Sequence, residues 1–118
     1  MFPLLCLGTA VLCVGLAAVL LVAPGLYVGL YTVPADAGAV FLGRRAAPLL
    51  LGLAVFFWAL RDAGPGPLQD VTALAAAVSF IGIAVTDVWA FLGGNASPAI
   101  LVAAGIEVAI GLAFLLVR

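Results

Sequence analysis

Residues 39–61 read AVFLGRRAAPLLLGLAVFFWALR. The uncharged run between Arg45 and Arg61 holds 15 residues, about 22 Å of helix at a rise of 1.5 Å per residue. The hydrocarbon core of a bilayer is about 30 Å thick. A helix that crosses it must therefore begin before Arg45, near Ala39 or Val40. Arg44 and Arg45 then lie about a turn or more inside the apolar layer, and Trp58 and Arg61 mark its far end. Arginines at that depth must be paired within the protein or reach back to the interface.

Three further runs have the length to span. The first covers about residues 4–22 and ends before Pro24-Gly25. Gly25 to Val33 stays apolar, with Tyr27 and Tyr31 one helical turn apart, and reads as an interfacial helical turn because Tyr favours the headgroup level. The stretch Val33-Pro34-Ala35-Asp36 reads as a helix start, with Pro in the first turn and an acid near the positive end of the dipole. The second span covers about 40–60, and Gly64-Pro65-Gly66-Pro67 is a tight turn. Asp70 reads as the N-cap of a third span over about 71–92. After the Gly93-Gly94-Asn95 turn, Ser97 and Pro98 read as cap and first residue of a fourth, about 98–117. The expected fold is all-α: a single domain over 1–118, an integral membrane antiparallel four-helix bundle with both termini on one side.

Composition agrees with that reading. Hydrophobic residues make up 68% of the chain and charged residues 8%, against about 25% charged in soluble domains. So little polarity could not cover a soluble surface, whereas lipid tails solvate apolar side chains. The net charge of −1 and the absence of Lys argue against a nucleic-acid partner. No Lys or Arg precedes Arg44, and the first apolar run is too long for a signal-peptide core, so cleavage is not expected. Cys6 and Cys13 fall on one helix face about 10 Å apart along the axis. A disulfide needs Cα atoms within about 7 Å, so they read as small packing residues.

Small residues mark the packing faces, since they let membrane helices approach closely. On the third span Thr72, Ala75, Ala76, Ser79, Gly82, Thr86 and Ala90 recur at helical spacing. On the fourth, Ala103, Ala104, Glu107 and Gly111 do so. Gly25 and Gly29 form a GxxxG.

Four ionisable residues lie within the spans: Arg44, Arg45, Asp87 and Glu107. Counted from the shared face, the arginines and Asp87 are about 6–8 Å deep and Glu107 about 15 Å. Arg44, Arg45, Asp87 and Glu107 are therefore expected to meet as one neutral buried cluster. Gly52 on the Arg45 face favours Arg45 turned inward. Pro48 has no N–H, which frees the Arg44 carbonyl and predicts a kink beside the pair. Such a cluster either pins the helices together or binds a proton, an ion or a small anion; two arginines would suit a carboxylate or phosphate.

The chain has no His, no Cys/His metal set, no Ser triad and no phosphate-binding glycine loop. No enzyme, metal or cofactor is expected. The expected role is a non-catalytic accessory, assembly or self-associating membrane subunit, with the bilayer and a homo-oligomer or larger membrane complex as partners. The alternative is a small oligomeric transporter or channel. Arg-only basic residues with abundant Ala, Gly, Leu and Val point to a GC-rich bacterial genome, hence a bacterial inner membrane. Arg counts on the two faces tie; with Arg44 and Arg45 buried in the bundle, the positive-inside rule puts the termini in the cytoplasm.

Leu30-Tyr31-Thr32-Val33-Pro34 through Arg44-Arg45, Gly52-Leu53 to Trp58-Ala59-Leu60-Arg61-Asp62, and Gly105-Ile106-Glu107-Val108-Ala109 resemble a group of small four-helix bacterial membrane proteins near the DoxX-like proteins. The resemblance covers most of the chain. It implies four helices and a link to respiratory or quinone-linked complexes, and it assigns no site residue and no activity.

Overall fold

A computed structural model describes residues 1–118, all in helices, turns and short connections with no strand. Five helices follow in order: α1 (Phe2–Val22), α2 (Pro24–Gly29), α3 (Ala37–Leu60), α4 (Pro67–Leu92) and α5 (Ile100–Leu116). Three of them, α1, α3 and α4, are long and apolar enough to cross a membrane, and α5 is a shorter apolar helix of 17 residues.

The helix ends follow capping chemistry, with some departures from the sequence expectation. The side chain of Asp36 caps α3, accepting from the backbone N–H of Ala39 at 2.8 Å. Pro34 stays outside the helix. Helix α4 starts at Pro67 behind Gly66, so Asp70 lies in the first turn, where an acid favours the dipole. Ser97 does not cap α5: its N–H goes across the molecule to the Tyr31 carbonyl at 2.9 Å. The α-helix begins three residues later, and its first N–H groups, of Ile100, Leu101 and Val102, reach back over a tight turn to the Ser97, Pro98 and Ala99 carbonyls. Pro24 at the start of α2 ends α1.

The long helices form two antiparallel pairs. Helix α1 packs along α3, and α4 along α5. One core joins the pairs at the end that carries both termini: Cys6 and Phe2 of α1, Phe57 of α3, Ala73 and Ala76 of α4, and Phe114 of α5. Phe114 is fully buried and meets Phe2 edge-on at 6.3 Å and Phe57 at 5.7 Å, the tilted geometry that aromatic quadrupoles favour. At the other end a smaller core of Ala17, Leu20 and Ala47 belongs to α1 and α3 alone. There the pairs touch through the Ser97–Tyr31 hydrogen bond. Cys6 and Cys13 are buried and unbridged.

The packing faces match expectation on α5 and differ on α4. Ile100, Ala104, Gly111 and Phe114 are buried on one stripe of α5. A Cβ at Gly111 would lie 2.8 Å from Ile81 Cγ1, so glycine there sets the α4–α5 approach. On α4 the buried residues are Thr72, Ala73, Ala76, Ala77 and Ala84, while Ala75, Ser79, Gly82 and Thr86 are exposed. The hydroxyls explain how that is tolerated: Thr72, Ser79 and Thr86 donate to the Leu68, Ala75 and Ile83 carbonyls of their own helix. None needs a neighbouring helix.

Only 20 of the 118 residues are buried. Val22, Trp89, Leu92 and Leu116 are 78%, 75%, 77% and 86% exposed. The exposed apolar surface runs around the molecule, far beyond the few hundred Å² patches of soluble monomers. The Cα envelope measures 44 × 28 × 16 Å, a slab with the helices along its long axis.

Candidate functional site

The two acids of the expected cluster meet; the two arginines do not join them. Asp87 lies near the end of α4, and Glu107 seven residues into α5. Because these helices are antiparallel neighbours, the two carboxyl groups come close enough to interact electrostatically. Both side chains are half-buried. One oxygen of Glu107, Oε2, is buried and has no hydrogen-bond partner.

Arg44 and Arg45 are both exposed on α3. Arg44 reaches α1, where its Nε donates to the Leu21 carbonyl over a long 3.4 Å. That carbonyl belongs to the last turn of α1, which has no helical partner of its own and favours a cation. Arg45 lies over the Phe41 ring at 5.5 Å, a cation–π contact on its own helix. Neither arginine turns inward, and the expected neutral four-residue cluster does not form. The one ion pair in the structure joins Arg61 and Asp62 at 3.5 Å, at the opposite end of α3. Arg61 also stacks on Trp58 at 3.9 Å and donates to the Trp58 carbonyl. The physical reason is rotational. Level along the axis follows from residue number, but the direction a side chain points depends on which helices are neighbours. Helix α3 pairs with α1, so its arginines are turned away from α4 and α5.

A cavity of about 400 Å³ lies between the two pairs. All four long helices contribute to it, and 17 of its 19 lining residues are hydrophobic, Tyr27 and Tyr31 among them. The remaining two are Ser79, whose hydroxyl is already committed to Ala75, and Glu107. The wall is thus apolar except at Ser79, Glu107 and the two tyrosines. The tyrosine rings pack edge-on at 5.5 Å, and Tyr27 lies within electrostatic reach of both carboxyls. The aromatic cluster around Phe57 closes the other end of the space.

Sequence reasoning took Tyr27 and Tyr31 for interfacial markers and left them out of the site. Their spacing of one turn beside an apolar run was visible; that α2 packs on α1 and α3, with Tyr27 and Tyr31 lining the cavity, was not. A second hollow of about 490 Å³ runs along α4 and α5 and carries no ionisable residue in its lining.

Comparisons with protein-family models, with curated proteins and with solved structures give no match. The site is therefore read from its own chemistry.

Proposed function

We propose that this chain is a non-catalytic subunit of a larger membrane assembly, crossing the bilayer four times through α1, α3, α4 and α5. Apolar surface around the whole slab supports the membrane setting, because lipid solvates what water would not. Helix α5 spans about 25 Å at the helical rise, within the range of short crossings. The termini face the cytoplasm of a bacterial cell in this reading. Resistance of the protein to extraction by alkaline carbonate tests membrane integration, and release into the soluble fraction overturns it.

The observation that carries the subunit role is the stripe Ala75, Ser79, Gly82 and Thr86. These small residues share one face of α4, yet the chain leaves them exposed. Ala75 and Ser79 border the cavity, while a Cβ at Gly82 would meet nothing within 4 Å. A close-approach face unused within the chain suits a helix of a second copy or another subunit. The likeness to small DoxX-like proteins points the same way. Light scattering in mild detergent is expected to give a mass above the 11.8 kDa monomer. Gly82→Leu is expected to return the protein to monomer without loss of helix. A wild type that is strictly monomeric with no copurifying partner overturns the reading.

One observation favours a second reading, a small transporter or channel. Glu107 faces a cavity between two helix pairs that share a core at one end only. Flux of protons, ions or small anions into proteoliposomes, lost in Glu107→Gln, would establish it. No flux in either protein removes it.

A further inference from the structure

We propose that the cavity between the helix pairs binds a lipophilic monocation: an apolar body that carries one ammonium head, seated against Glu107. The inference concerns occupancy and holds whether or not the protein moves its ligand across the membrane; it rests on the apolar, membrane-embedded reading only for the route of entry.

Size comes first. About 400 Å³ falls within the range of small-molecule sites, which are mostly apolar with a few placed polar groups. Leu16, Leu53, Phe80 and Ile110, one from each long helix, show how the wall is built. Nothing polar is offered along most of its length, so the body of the occupant is apolar.

The head is set by Glu107. Its Oε2 is buried without a donor, and native proteins rarely leave such an atom unpaired. Every arginine is engaged or remote: Arg44 at Leu21, Arg45 at Phe41, Arg61 at Asp62 and Trp58, and Arg118 at the exposed C-terminus. The carboxyl of Asp87 stands beside Glu107. With two acids side by side and no cation near them, any negative charge that either carries is unpaired in apolar surroundings, where it is costly. An ammonium head at the Glu107 wall of the cavity supplies the missing positive charge, and its hydrogen bond to a carboxylate is of the strong, charge-assisted kind. The Tyr27 and Tyr31 rings line the same cavity, and aromatic rings attract a cation. A neutral alcohol would satisfy the oxygen and leave the charge. A carboxylate head would be repelled.

Three ligands with the same tail separate these cases: decylammonium, decanol and decanoate. Their binding to the detergent-purified protein is counted by native mass spectrometry, with the shared tail correcting for partition into detergent. The expected result is one decylammonium per chain, with about tenfold preference over decanol, and decanoate weakest. Glu107→Gln is expected to lose that preference while Arg45→Ala keeps it. Ala103→Phe, which fills the cavity from α5, is expected to abolish binding of all three ligands, and its helix content by circular dichroism reports folding independently. Equal occupancy by decylammonium and decanol overturns the proposal, since it means the acids are already neutralised. So does a preference unchanged in both Glu107→Gln and Ala103→Phe, which places the cation elsewhere. Integration into the membrane is read separately by extraction, so failure of one reading is distinguishable from failure of the other.

Discussion

Arg44 and Glu107 each lie seven residues into their helices, both about 10 Å from the same end of the molecule, and they do not meet. Arg44 donates instead to the Leu21 carbonyl, and Glu107 lies beside the Asp87 carboxyl. The consequence is measurable as coupling. In a double-mutant cycle, Asp87→Ala and Glu107→Ala are expected to be non-additive by about 0.5–3 kcal/mol, the range for groups in contact. Asp87→Ala and Arg45→Ala are expected to add within about 0.5 kcal/mol. Unfolding in mixed detergent micelles as SDS is raised provides the free energies. Rescue of Asp87→Ala by Arg45→Ala would restore the neutral cluster that residue depth alone predicts, and would show that α3 is rotated toward α4.

Among the elements, α3 depends on its cap. The carboxylate of Asp36 accepts the Ala39 N–H, and Asp36→Ala is expected to cost about 0.5–2 kcal/mol in the same unfolding measurement, with Asp36→Asn close to wild type. Equal losses in the two variants would mean that charge, not the cap hydrogen bond, matters there.

The α4–α5 pair offers a contrast between two glycines. A Cβ at Gly111 meets Ile81 Cγ1 at 2.8 Å, whereas a Cβ at Gly82 meets nothing. Gly111→Val is therefore expected to destabilise by about 1–3 kcal/mol through overpacking. Ile81→Ala in the same chain is expected to recover part of the loss by making room. Gly82→Leu is expected to leave intrachain stability within about 0.5 kcal/mol, the level of an unpacked surface site. If Gly82→Leu is the more damaging of the two, α4 is rotated from the orientation described.

For the whole molecule, the defining feature is that α1 pairs with α3 and α4 with α5, with one shared core at the terminal end. Cysteine cross-linking reports that pairing. With Cys6 and Cys13 replaced by Ala, a chain carrying Ile81→Cys and Gly111→Cys is expected to form an internal disulfide rapidly on mild oxidation. The two positions are in contact, and a disulfide needs Cβ atoms about 3.5–4.5 Å apart. Arg45→Cys with Glu107→Cys is expected to stay reduced, because Arg45 faces outward on the other pair. Fast oxidation of the second pair and not the first would mean that the helices pair differently.

The sequence alone determined the helices and the levels of their residues. Helical runs expected over 4–22, 40–60, 71–92 and 98–117 correspond to α1, α3, α4 and α5 as helices, with ends shifted by a few residues. That information is one-dimensional. Apolar run length, breakers such as Pro24 and Gly64-Pro65-Gly66-Pro67, and a rise of about 1.5 Å per residue suffice for it. The small-residue stripe of α5 was also legible, because Glu107 and Gly111 stand out within it. The stripe of α4 was misread by roughly one residue: on an Ala-rich helix several faces are equally small, and Thr72, Ser79 and Thr86 satisfy their hydroxyls within their own turn. Only the tertiary structure decided which helices are neighbours, and from that alone follow the outward arginines, the meeting of Asp87 with Glu107, and the cavity beneath Tyr27 and Tyr31. Rotation about a helix axis is set by contacts with partners distant in sequence, and no local spacing rule encodes it.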